Sequence, residues 1–282
     1  MEFKKYDNPK EFALENEKLI LEKEWLNNLM VGNYNDALEN GIDENWLLAR
    51  VTDKNKTELI MLLRRPWKLL LYSPTGNMKK ELYKFAAEEV YKVNKNLPGV
   101  NTEKKTGKMF AEEYCKIANK ECKLHLEMRI LLLENLLEGS LKNDVIYRKA
   151  EIKDKEILKG FTKDFHKEAL NEELPDEILE EKFYNYLEKG YFVLEKDGKI
   201  VAQTVSGRNL KKGKCISGVF TPKEERGKGY AYNLVYRVSK EFLNKGAEYC
   251  VLYTDDSNPI SNHVYEKIGY VRKVDTFDLD FV

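Results

Sequence analysis

The chain has 282 residues, and its 48 Lys and Arg are balanced by 48 Asp and Glu, leaving no formal net charge. That balance excludes the basic excess expected of a nucleic-acid-binding protein and any long-range attraction to an acidic membrane. The length suits two domains of average size, each able to bury its own core.

Asn8-Pro9-Lys10-Glu11 reads as a helix start, with Asn8 as cap, Pro9 at the first helical position and Glu11 reaching back to the cap. The helix is expected to run to about Val31-Gly32, burying Phe12, Leu19, Ile20, Trp25, Leu26 and Met30, with a short second helix from Tyr34 to Asn40. Strands follow at 46–51, 58–63 and 67–72, the last two joined by Arg64-Arg65-Pro66, where proline cannot donate to a central ladder. After the break Ser73-Pro74-Thr75-Gly76-Asn77 come a helix (78–93), a short strand (96–100), a helix (108–120) and a long strand (122–133).

Beyond Gly139-Ser140 the pattern restarts with a strand (145–150) and helices at 153–170 and 175–189. Paired strands at 191–195 and 199–205 meet at Asp197-Gly198, a dipeptide suited to a turn in which both central residues take positive φ. A strand (214–220), a glycine turn, a helix ending at Lys245-Gly246, a strand (248–254), a helix (259–267) and a closing strand (270–281) complete the chain. The two halves match in element order, which predicts an internal repeat of about half the chain. They differ at the turn after the strand ending near Pro74 or Pro222. Ser73 to Met78 lacks the basic double-glycine pattern of the second half, so the first half is expected to keep the architecture without the anion site.

The four cysteines (Cys115, Cys122, Cys215, Cys250) form no C-x-x-C pair and the three histidines are widely spread, so neither a metal site nor a disulfide framework is expected. The most hydrophobic segment, 59–72, is broken by Arg64-Arg65-Pro66, and the first residues lead into no apolar run of signal-peptide type. A soluble cytoplasmic protein with no membrane partner is expected.

The chemistry concentrates in Val219-Phe220-Thr221-Pro222-Lys223-Glu224-Glu225-Arg226-Gly227-Lys228-Gly229-Tyr230-Ala231. Gly227 and Gly229 allow a sharp bend and close approach to a ligand. The following helix offers unpaired N–H groups and partial positive charge to an anion, and Arg226 and Lys228 add full charges. A dinucleotide fingerprint would need glycine where Tyr232 stands. A triphosphatase loop is imitated only by Gly207 to Gly213-Lys214-Cys215, whose spacing is one residue too long.

Arg226-Gly227-Lys228-Gly229-Tyr230-Ala231 fits the phosphate turn of the GNAT family of N-acetyltransferases, which the segment from about Val145 onward resembles. Asn258-Pro259-Ile260-Ser261-Asn262-His263-Val264-Tyr265-Glu266-Lys267-Ile268-Gly269-Tyr270 is similar to the family's second cofactor motif. The resemblance implies an α+β protein of two GNAT-like domains, each a mixed, mostly antiparallel sheet flanked by helices. Residues 1–141 would be a degenerate copy and residues 142–282 the catalytic domain. It also implies acetyl-CoA or another acyl-CoA as co-substrate, transferring its acyl group to a primary amine. On this reading Arg226, Gly227, Lys228, Gly229, Tyr230 and Ala231 take the pyrophosphate, and Val219, Phe220 and Thr221 pair with pantetheine. Asn258 and Ser261 assist; Asn258-Pro259 also reads as a plain helix cap.

Tyr265 is implied as the general acid that protonates the leaving thiolate, its alternative being aromatic packing. The resemblance leaves the general base unassigned, because the family's usual strand glutamate is missing from Lys214 to Phe220. Glu195, Asp255 and Asp256 are candidates, directly or through water, that read first as solvated strand-end charges. His263 reads as a surface histidine, and Cys215 and Cys250 as strand packing. The missing glutamate keeps a second class open, a non-catalytic acyl-CoA sensor. The amine acceptor, the acyl-chain preference and the oligomeric state are not readable in the sequence.

Overall fold

A computed structural model describes residues 1–208 and 210–282. In chain order it contains β1 (Glu2–Tyr6), α1 (Pro9–Glu22), α2 (Asn28–Asn40), β2 (Trp46–Asp53), β3 (Lys56–Arg64), β4 (Leu69–Tyr72), α3 (Lys80–Val93), β5 (Gly99–Glu103), α4 (Lys104–Ala118) and β6 (Cys122–Leu133). There follow β7 (Ile146–Lys149), α5 (Lys155–Phe165), α6 (Asp176–Lys189), β8 (Tyr191–Lys196), β9 (Lys199–Val205), β10 (Gly213–Cys215), β11 (Ser217–Phe220), α7 (Tyr230–Asn244), β12 (Tyr249–Asp255), α8 (Pro259–Ile268) and β13 (Val271–Phe281). The architecture is mixed α/β, sheets flanked by helices. No helix is long and apolar enough to cross a membrane.

Two compact units emerge, Met1–Arg129 with Val274–Val282, and Ile130–Lys273. The sequence placed one cut between 141 and 142. The structure divides the chain within β6 and again within β13, because Leu279 and Phe281 are buried in the core of the first unit. There β13 pairs antiparallel with β5, Thr276 opposite Glu103 and Asp280 opposite Gly99. Such a return is invisible to a reading of local periodicity, which has no access to long-range pairing.

In the first unit the strand order is β1-β2-β3-β4-β5-β13-β6, with only β4 and β5 paired in parallel among the registers described. The core joins Leu59, Met61 and Leu63 of β3 to Tyr83, Ala86 and Val90 of α3 and to Phe110 and Tyr114 of α4. Two local expectations change here. The long first helix ends at Glu22, and a tight segment before α2 is held where Asn27 donates to the Ile20 carbonyl at 2.9 Å and Asn28 to that of Trp25 at 2.7 Å. The edge strand β1, for which the sequence predicts no element, is short and lysine-bearing, a composition that protects sheet edges and hides the strand signal.

In the second unit β7, β8, β9 and β11 form an antiparallel sheet in the order β11-β9-β8-β7, while β12 lies between β6 and β10. The β8–β9 turn follows the sequence expectation, with φ of 51° at Asp197 and 76° at Gly198. Leu234, Val235, Val238 and Phe242 make the buried stripe of α7, in one apolar cluster with Ile216, Leu252, Tyr265 and Ile268. Burying such a stripe removes about 1.5–3 kcal/mol of unfavourable hydration per large side chain. A second cluster joins Leu158 of α5 and Phe183 of α6 to Tyr191 and Val193 of β8.

Candidate functional site

The segment read from sequence as one strand, 214–220, changes partner halfway. Gly213, Lys214 and Cys215 run parallel to Tyr249, Cys250 and Val251 of β12, and the Ile216 N–H still reaches the Val251 carbonyl at 2.9 Å. From Ser217 onward the chain pairs antiparallel with β9 instead, Ser217 opposite Val205 and Phe220 opposite Gln203. Three steps on β11 match two on β9, so one extra residue bulges out, and Gly218 takes φ of +59° there. Beyond Ile216, β11 and β12 belong to different sheets, and among the described residues the edge of β11 turned from β9 has no neighbouring strand.

At the end of β11 the chain makes a short 3-10 turn and then the two glycines. Gly227 has φ of +75° and Gly229 φ of +78°, the left-handed region that favours glycine. Nothing lies within 4 Å of the point where a Gly227 Cβ would stand, so backbone conformation rather than crowding selects glycine, and the space before the turn is open. Among the described residues, no N–H from Gly227 to Tyr232 donates to a backbone carbonyl. The first to do so is Asn233, to Gly229 at 3.1 Å. Six consecutive residues at a 15-residue helix's start thus offer donors and the positive end of its dipole to an anion.

The charges around the turn are arranged less simply than the sequence suggests. Arg226 folds back, its Nε donating to the Thr221 carbonyl at 2.9 Å and its Nη2 meeting Glu168 at 2.7 Å, with the guanidinium over the Phe220 ring. Lys228 is paired with Glu225 at 2.9 Å. Both motif cations are therefore engaged by carboxylates of the protein. Phe220 is buried against Phe161 of α5, their ring centres 5.5 Å apart, and Val219 is half-buried. The Thr221 hydroxyl is buried with no hydrogen-bond partner among the described residues.

Across from β11, Asn258 caps α8 by accepting the Ser261 N–H at 3.0 Å, so the capping role read from Asn-Pro is present. Tyr265, one turn further on, is buried with its ring edge-on to Tyr270, centres 5.9 Å apart. The Tyr265 hydroxyl makes no hydrogen bond among the described residues, and burial holds its pKa well above the usual phenol range. The neighbouring Tyr270 hydroxyl, by contrast, is bonded to Ser239 of α7 at 2.9 Å.

Residues 156–270 match the model of the Acetyltransferase (GNAT) family. This segment belongs to the GNAT family. The fold agrees along the chain: a GNAT-family acetyltransferase from Colwellia psychrerythraea is 12% identical with a TM-score of 0.62, covering 100% of this chain and 99% of its own. A GCN5-related N-acetyltransferase from Sphaerobacter thermophilus (13% identity, TM-score 0.65, 99% and 95% covered) and a Drosophila protein (11%, 0.65, 99% and 98%) have the same fold. No curated protein is a significant sequence match. Acyl transfer is the general chemistry this family and fold support.

Within the GNAT domain the candidate bases are already occupied. Glu195 is bound to Arg148 at 3.0 Å, which also holds Asp154 at 2.6 Å. Asp255 accepts both the N–H and the hydroxyl of Ser257 at 2.7 Å, and Asp256 lies 3.8 Å from Arg272. His263 is exposed. Burial pushes the Cys250 thiol up to about 12, which leaves almost no thiolate at neutral pH. The Cys215 sulfur accepts from Arg208 Nη1 at 2.8 Å, a contact the sequence did not signal. All four cysteines are free thiols, and among the described residues no group of His, Cys, Asp and Glu could hold a metal ion.

Sequence reasoning missed three residues around the GNAT turn, namely Glu168, Asn233 and Lys142. Asn233 is the one with a local signal, a polar residue four positions after Gly229 on the buried face of an amphipathic helix. Its amide donates to the Gly229 carbonyl at 2.9 Å and accepts the Lys142 N–H at 2.7 Å. In the first unit the segment 73–77 is held by a carboxylate. Glu58 is buried and accepts from Thr75 and, at 3.1 Å, from Asn77.

Proposed function

We propose that the GNAT domain transfers an acetyl or other short acyl group from acyl-CoA to a primary amine by direct attack in a ternary complex. The observation that supports this most is the change of partner at Ile216, which frees the 217–220 edge beside the glycine turn. A pyrophosphate would take the N–H groups of 226–231, pantetheine would lie along Val219, Phe220 and Thr221, and Asn258 and Ser261 would border its arm. Each group meets its chemical match: an anion at the N–H groups of 227–231, which among the described residues donate to no backbone carbonyl, and an amide-bearing chain at a strand edge with no neighbouring strand there.

In the reaction the amine nitrogen bonds to the thioester carbonyl carbon while the negative charge developing on oxygen is met by a backbone N–H. Collapse breaks the C–S bond, and the Tyr265 hydroxyl, with no hydrogen bond among the described residues, gives its proton to the departing sulfur. The proton lost by the amine passes to water or to a carboxylate of the acceptor site. The first unit, whose turn holds its own Glu58 carboxylate, is read as a degenerate copy that binds no acyl-CoA.

Calorimetry with acetyl-CoA together with thiol release over a panel of amines tests the proposal. Micromolar binding with amine-dependent release is expected. Binding without release for any amine would make the domain a sensor, and no binding would remove the reading altogether.

A further inference from the structure

The two cations of the glycine motif are both held by carboxylates, yet a diphosphate brings two negative charges to the turn. A third cation stands beside it. Lys142 Cε passes 4.0 Å from the point where a Gly229 Cβ would lie, and its Nζ is 5.9 Å from the centre of the Tyr230 ring. Among the described residues Lys142 Nζ forms no ion pair.

The position of Lys142 is fixed by its backbone and not by its side chain. Its N–H donates to Asn233 Oδ1 at 2.7 Å and its carbonyl accepts from Arg237 Nη2 at 2.8 Å, both partners lying in the first half of α7. The preceding residues are tied down as well. The Leu137 N–H donates to the Ile268 carbonyl at 3.0 Å, and Gly139 lies so close over Tyr232 that a Cβ there would collide with its hydroxyl. Asn233 is only 3% exposed, and through one amide it links the Gly229 carbonyl to the Lys142 backbone. The lysine stem is thus anchored to the same residue that shapes the turn.

We propose that Lys142 is the phosphate-binding cation of this site, placing its ammonium against the diphosphate of acyl-CoA. The inference rests on the acyl-CoA reading above. It assigns to a residue far upstream in the chain the charge that the motif's own Arg226 and Lys228 direct elsewhere.

The test is calorimetric binding of CoA at low salt to the wild-type chain, K142A, K142R and K228A, with turnover of acetyl-CoA and of phosphate-free S-acetyl-pantetheine. K142A is expected to bind CoA about tenfold more weakly, K142R within about threefold of wild type, and K228A to lose less than K142A. The K142A defect should shrink at high salt and vanish with S-acetyl-pantetheine. Because the backbone of Lys142 makes the structural bonds, K142A should unfold at the wild-type temperature. Wild-type binding with K142A within twofold of it would overturn the proposal while leaving the acyl-CoA reading intact. Equal K142A losses on CoA and S-acetyl-pantetheine would also overturn it, by showing a structural effect. Failure of the wild-type chain to bind CoA would remove both.

Discussion

Arg226 Nη2 meets Glu168 Oε2 at 2.7 Å, so a carboxylate stands beside the turn proposed to receive a diphosphate. Glu168 lies in the π-helical turn His166–Leu170 that extends α5, and Lys223 approaches it at 3.7 Å. Its charge opposes an incoming anion. Glu168→Gln is therefore expected to tighten CoA binding by about two- to fivefold at low salt, an advantage lost as salt shortens the screening length. The pair is partly exposed, so stability should change by under ~1 kcal/mol. Titration calorimetry at two salt concentrations checks this; weaker binding would show that Glu168 shapes the turn instead of opposing its ligand.

Gly227 and Gly229 make separable predictions. Both have positive φ, so alanine at either is strained and should lower stability by about 1–2 kcal/mol. At Gly227 nothing else opposes a methyl group, so the protein should fold; CoA affinity should fall at least tenfold because the methyl enters the open space before the turn. Thermal unfolding and CoA titration of Gly227→Ala would check both halves, and unchanged affinity would move the phosphates away from this turn.

Much of this was legible in the sequence because it is local. The double glycine, the helix that follows it and the Asn-Pro cap of α8 each declare themselves within a few residues, and each is present where it was read. What could not be read is set by pairing across the chain. The 214–220 segment looks like one strand because its side-chain pattern is continuous, and only its exchange of β12 for β9 splits it. Arg226 and Lys228 looked available for an anion because nothing local reveals Glu168, 58 residues upstream of Arg226. The Asn233 contact with Lys142 spans 91 residues in the same way.

His166 gives a pH prediction. It is buried with Nδ1 2.9 Å from Glu172, and burial lowers its pKa below the ordinary 6.5 despite that carboxylate. Below pH 6.5 the unfolded chain therefore binds this proton more readily than the folded one, and protonation favours unfolding. The contribution of His166 to stability should be intact above about pH 7 and fall as pH drops from there toward the folded-state pKa. Denaturant unfolding of wild type and His166→Gln at pH 7.5 and 5.5 should show a larger loss for wild type. Equal losses would mean that the imidazole titrates normally.

Tyr265 carries the most direct test of the chemistry. Its hydroxyl makes no hydrogen bond among the described residues, so Tyr265→Phe removes no partner there, keeps the ring against Tyr270 and should leave stability within about 1 kcal/mol of wild type. Phenylalanine has no proton to give, so turnover should fall by about 10²-fold or more, the usual scale for a lost acid. CoA affinity should stay within about threefold, since the diphosphate contacts proposed above lie on the glycine turn. The sign of the pKa shift adds a second readout. Burial keeps the phenol protonated well past neutrality, so no loss of activity attributable to Tyr265 should occur between pH 6 and 9. Steady-state kinetics on the best amine, with CoA affinity measured separately, decides the matter. Full turnover in Tyr265→Phe would reduce the residue to packing and leave proton delivery to water in the groove.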